Sequence, residues 1–153
     1  MPDYDIRDRM CINLAAQIRT YTQPGDSRAL PAMLALNEVL DEEPEDVMAP
    51  IIAVSYAGMD LGGPTEGTAS VVLYVSYYRA QIEAGPEDRE VRRAMDRISA
   101  AVLSDGTCGG LADGVESYRD ERGVFEGPTE QTGLNGGRAE VTYSVPRGAF
   151  TVD

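Results

Sequence analysis

The residues that most enzymes use for proton and group transfer are sparse in this chain. Histidine is absent, so there is no Ser-His or Cys-His pair and no imidazole to bind a metal. The two cysteines, Cys11 and Cys108, lie far apart without metal-ligand spacing. They are expected to be reduced, partly buried thiols. Cys108 precedes Gly109 and Gly110 and could be a nucleophile, but the histidine expected to activate it is absent. There is no phosphate loop of the form GxxxxGK[ST] or GxGxxG, and no GxSxG elbow. Carboxylates are plentiful, and a glycosidase-like pair needs only two of them. Nothing singles out two of the 26. The acidic run 41–46, Asp-Glu-Glu-Pro-Glu-Asp, lacks the ordered ligands and turn glycine of a calcium loop and reads as a solvated loop. The expectation is a chain with no catalytic residue, no metal and no cofactor.

What remains distinctive is a face of arginines. Val91, Ala94, Met95, Ile98, Ala101 and Val102 recur at helical spacing, and Arg89, Arg92, Arg93 and Arg97 occupy the other side. The pattern predicts a helix over 86–104. Pro86 suits its first position, Glu87 and Asp88 face the positive end of its dipole, and Gly106 fits a left-handed C-terminal cap. Asp88 with Arg92, and Asp96 with Arg92 or Arg93, stand at helix-pair spacing and neutralise part of the face. The rest is a patch suited to docking on an acidic neighbour, where charge gives register and specificity.

The segments around this helix must supply what its apolar stripe covers. Ile6, Met10, Leu14 and Ile18 predict a first helix over 3–20, with Asp3 as N-cap. Leu30, Met33, Asn37 and Leu40 suggest a short second helix ending at Pro44. Residues 51–57 and 70–82 read as strands. The second is apolar on both faces: Val71, Leu73, Val75 and Tyr77 on one, Val72, Tyr74 and Tyr78 on the other. A strand with one wet face alternates more cleanly, so this one is covered twice or lies at a subunit contact. Residues 114–125 and 138–147 complete a second hairpin around a long flexible loop at 126–137. Gly-Pro-Thr-Glu occurs in both hairpin loops and ends in Glu66 and Glu130. The expected fold is α+β: one domain over 1–153, ordered α-(α)-β-β-α-β-β, with two or three helices on a mostly antiparallel four-stranded sheet.

Charge narrows the function classes. The chain carries 26 acidic residues against 13 basic ones, for a net −13, and every basic residue is arginine. Duplex binding draws on Lys and Arg that displace counterions from phosphates, so specific nucleic-acid binding is not expected. No apolar run approaches the ~20 residues of a membrane span. The polar, charged start does not have the form of a signal peptide, which points to synthesis and retention in a cytoplasm. The lysine-free acidic composition resembles proteins of extremely halophilic archaea or their viruses, where acidic excess keeps a surface solvated. An acidic protein of a high-GC bacterium or phage is the alternative.

The order helix, strand pair, helix, strand pair resembles the small tail-terminator, or tail-completion, proteins of tailed phages and archaeal tailed viruses. Residues 91–115, VRRAMDRISAAVLSDGTCGGLADGV, carry the likeness: an arginine-bearing amphipathic helix, an Asp-Gly step, then Gly-Gly-Leu leading into a strand. The alternating segment RAEVTYSV at 138–145 also fits. The resemblance covers roughly residues 51–147 as an order of elements; 27–50 and the 126–137 loop lie outside it. It implies a structural virion protein, assembled in the host cytoplasm into a ring, typically hexameric. Such a ring caps the tail tube and joins it to the neck while DNA passes through. Neck or head-closure adaptors and tail-tube subunits are similar in size and form rings too. An acidic interaction module of a halophile, or an enzyme without a recognisable site, are the readings outside the virion. Interface candidates are Arg89, Arg92, Arg93, Arg97, Tyr74, Tyr78, Glu66 and Glu130, with a second copy, the tail tube and the neck as partners.

Overall fold

A computed structural model describes residues 5–44, 50–80, 89–125 and 134–150. Helix α1 spans Ile6–Thr20. Its N-cap is Asp5, whose carboxylate accepts from the Arg7 amide at 2.9 Å; Asp3 lies outside the described residues. A one-turn helix α2, Leu30–Met33, follows, then a short strand β1, Glu38–Leu40. Strands β2, Ile51–Asp60, and β3, Thr68–Ala80, form a hairpin. Helix α3, Arg89–Leu103, precedes a second hairpin of β4, Gly114–Phe125, and β5, Leu134–Pro146. The fold is α+β, but the sheet has five strands rather than four, in the order β1-β2-β3-β5-β4. It is mostly antiparallel, as expected, and is mixed in that β1 pairs parallel with β2.

The added strand corrects the reading of 27–50 as a single short helix. Ala35 adopts φ +51°, a left-handed conformation that stops α2. The Asn37 amide then reaches the Pro50 carbonyl at 2.7 Å, and Glu38, Val39 and Leu40 lie beside Ile51, Ile52 and Ala53.

Both long helices lie on one face of the sheet. The six apolar residues of the α3 stripe are all buried, as are Ile6, Met10, Cys11, Leu14, Ala15 and Ile18 of α1. They meet Ile52 and Val54 of β2, Val71, Leu73, Val75 and Tyr77 of β3, and Ala139, Val141, Tyr143 and Val145 of β5. The two helices are stitched by amide side chains. Gln17 Nε2 donates to the Ala101 and Val102 carbonyls, both at 2.8 Å, and Asn13 Nδ2 donates to the Cys108 carbonyl at 3.1 Å. Gln17 thereby caps the free carbonyls that end α3. Gly106, expected to be the left-handed cap, is not in that conformation; Cys108, Gly109 and Gly110 are. Asp105 closes this turn by accepting from Thr107 N and Oγ1, which holds its carboxyl below the usual range.

Cys11 and Cys108 are both free and buried. The Cys108 thiol donates to the Met10 carbonyl at 3.2 Å. Burial pushes the Cys11 thiol up to about 11 and the Cys108 thiol up to about 12. The nucleophile is the thiolate, so neither cysteine should react with iodoacetamide at pH 8 in the native protein, and both should react in denaturant. Rapid labelling of the native chain would show that these thiols are accessible. The raised values stabilise the fold fully below the ordinary thiol range. That contribution is lost as pH rises from about 9 toward 12, where the unfolded chain ionises first.

Candidate interaction site

The arginine face is the product of α3 amphipathicity. With one side of the helix buried, Arg89, Arg92 and Arg93 are exposed and Arg97 is half-buried. None of them forms an ion pair among the described residues. Arg93 and Arg97 line an open groove of roughly 420 Å³ with Tyr21, Gln23, Pro24 and Asp96. The start of the helix is tied back to the sheet, where Arg79 Nη1, at the end of β3, donates to Glu90 Oε2 at 2.6 Å. Asp88, the proposed partner of Arg92, lies outside the described residues, as does Glu130. Glu66 is described and exposed, in the turn between β2 and β3.

The second face of the sheet holds the tyrosines. Tyr78 is only 2% exposed and packs with Ile51, Ala53 and Leu40. Its hydroxyl donates to Glu43 Oε1 at 2.5 Å. Arg138 of β5 completes the cluster: Nη2 donates to the Tyr78 hydroxyl at 3.1 Å, Nε to Ser76 Oγ at 2.9 Å, and Cζ sits 5.0 Å from the centre of the Tyr74 ring. Burial, then the Glu43 carboxylate, raises the Tyr78 phenol. The acidic run, read as solvated, therefore sends Glu43 back over the sheet. Tyr78 has cover from within its own chain. Tyr74 is half-buried under Arg138, beside the ion pair of Arg119 with Glu140 at 3.2 Å. Sequence reasoning passed over Glu43 and Arg138. Arg138 stands where a solvent-facing residue is expected in the alternating run, and only the register to Ser76 reveals its partners.

A third feature lies at the edge of β2. A concavity of roughly 520 Å³ opens there between α1 and the segment after β1, lined by Asp8, Ile12, Asp41, Glu42, Glu43 and Tyr56 among others. Among the described residues, no group of three or more Cys, Asp or Glu is arranged to hold a metal ion. No helix among them is long and apolar enough to cross a membrane. No protein-family description matches the chain, and no curated protein is significantly similar to it.

Proposed function

We propose that the chain is a structural virion protein working as a ring of identical copies, a tail terminator that closes a tail tube and joins it to the neck. The observation that carries this reading is the arginine face of α3. Four arginines without ion pairs among the described residues are gathered on one helix in a chain of net −13. A neighbouring copy supplies acid in excess, and the exposed turn bearing Glu66 is a suitable counterpart. Such a head-to-tail contact uses two different patches and closes into a ring by rotation. The acidic surface left over suits a DNA passage, since a lumen that repels phosphate does not retain the genome. A neck adaptor or a tail-tube subunit uses the same self-association and differs in its neighbours. In every form of the reading the protein is not an enzyme.

The test is assembly. At high protein concentration and high salt, light scattering should give a mass several times 16.5 kDa. Arg92→Glu with Arg93→Glu should lower that mass toward the monomer, while circular dichroism remains that of the folded chain. Two substitutions are used because one exposed ion pair contributes only ~0–1 kcal/mol. A double variant that assembles like wild type would reduce the arginine face to a solvated helix surface. A wild type that stays monomeric would exclude a self-assembling ring.

A further inference from the structure

We propose that the open edge of β2 is a strand-addition site for an extended segment of another protein that carries arginine or lysine between apolar residues. β1 pairs with Ile51, Ile52 and Ala53, so among the described residues strand β2 is bonded from Val54 to Asp60 to β3 alone. Among the described residues, the backbone of 54–60 makes no hydrogen bond outside that ladder. The chain turns away at Asp41 and leaves the roughly 520 Å³ concavity where a longer β1 would have run. An unpaired edge offers N–H and C=O groups in register for an incoming strand.

The side chains around the edge say what that strand carries. Ile12, Tyr56 and Met59 are large apolar residues left 37%, 40% and 37% exposed. Tyr56 and Met59 stand opposite Leu73 and Val71 and so share the helix-side face of β2. They offer contact to alternate apolar residues of the incoming strand. Asp8, Asp41, Glu42 and Glu43 surround the same slot, and no basic residue lines it among the described residues. Arg7 lies over the Tyr56 ring and is held by Asp5, and Arg138 reaches Glu43 Oε1 from the far side at 3.9 Å. Glu43 is engaged by the Tyr78 hydroxyl and Arg138, whereas Asp8, Asp41 and Glu42 form no ion pair among the described residues. A basic strand satisfies these carboxylates; an acidic one is repelled.

Charge also separates a foreign strand from a second copy. The edge strand at the opposite end of the sheet is β4, which carries Glu116, Asp120 and Glu121 against Arg119 and Arg122. Its charge is of the wrong sign for the slot. The acidic walls thus keep copies of this chain from pairing edge to edge and leave the site open to a basic partner. The inference does not depend on the ring, which uses α3 and the β2–β3 turn.

The test uses the full chain and dye-labelled ten-residue peptides. Fluorescence anisotropy should show saturable binding of a peptide alternating valine and arginine. The same peptide N-methylated at alternate backbone nitrogens should bind at least about tenfold more weakly, because the strand hydrogen bonds are lost. A valine–glutamate peptide should not bind. Hydrogen exchange should slow at the amides of 54–60 when the first peptide is added. Asp8→Asn with Asp41→Asn and Glu42→Gln should weaken binding without altering circular dichroism. Equal binding of the N-methylated peptide, or protection elsewhere than 54–60, would reduce the effect to diffuse charge attraction and overturn the proposal. Tighter binding of a peptide copying Gly114–Phe125 would assign the edge to a second copy instead and equally overturn it.

Discussion

Gly136→Ala is expected to cost about 3 kcal/mol or more, out of proportion to the addition of one methyl group. Gly136 lies in β5 opposite Tyr78. A Cβ there would overlap the Tyr77 carbonyl oxygen and come within 2.8 Å of its carbonyl carbon and 3.3 Å of Tyr78 Cα. These are backbone atoms, so no side-chain rotation relieves the clash, and β5 must move off β3. That movement reaches β4, whose ladder partner in the sheet is β5. It also disturbs the Arg138 contacts to Ser76 and Tyr78 two residues on. Urea unfolding followed by circular dichroism measures the cost. A midpoint within experimental error of wild type would mean that the strand pair has slack there. Gly58→Ala makes a matched control, because a Cβ at that position meets nothing within 4 Å.

The second large effect is expected from salt. With 26 acidic and 13 basic residues, like-charge repulsion opposes the compact state wherever it is not screened. Several carboxylates converge on the β2 edge without a base among the described residues that line it. The Debye length shrinks from about 10 Å at 0.1 M salt to about 3 Å at 1 M. Thermal unfolding should therefore move upward by roughly 10 °C or more between about 20 mM and 3 M KCl, equivalent to a few kcal/mol for a chain of this size. A melting temperature independent of KCl would remove the halophilic reading. It would leave the acidic surface as a matter of solubility alone.

The strongly periodic elements were legible and the short or strained ones were not. Every apolar position of the α3 stripe is buried, because six residues at helical spacing on a polar background admit one packing solution. The weak segment 114–125 has the bounds of β4, since Gly114 and Pro128 bracket a run with no helical period. β1 escaped because three residues, of which only Val39 is buried, are too few to show alternation. Nothing in an alanine announces the left-handed turn at Ala35 that makes room for it. The loop expected at 126–137 is shorter at its far end, as Leu134, Asn135, Gly136 and Gly137 already belong to β5. Two glycines read as turn chemistry, whereas at Gly136 the small residue permits a close approach of two backbones.

The surfaces were legible to different degrees. The arginine face follows from helix geometry, so its exposure was written in the spacing. The slot beside β2 was not visible in any window of the chain. It exists because β1 stops three residues into its pairing with β2, and strand order is a property of the whole sheet. The Glu43–Tyr78–Arg138 cluster joins residues 35 and 60 positions apart. Only the register that places Ser76 beside Arg138 brings them together.

The place of β5 in the sheet carries a consequence for how the chain is made. It lies between β3 and β4, yet it is the last strand to leave the ribosome. Until residues 134–146 emerge, β4 has no ladder partner, and α3 lacks the Ala139–Val145 floor beneath its stripe. Gln17 in turn has no α3 terminus to cap until residue 105 has been added. At ~5–20 residues per second, translation of this stretch takes several seconds. For that time the nascent chain holds one hairpin and two unplaced amphipathic helices. The interior of the sheet is thus completed by the last strand to be made. A chain released before residue 134 lacks the strand that joins β4 to the rest of the sheet, and quality control would meet it with the α3 stripe short of its Ala139–Val145 floor.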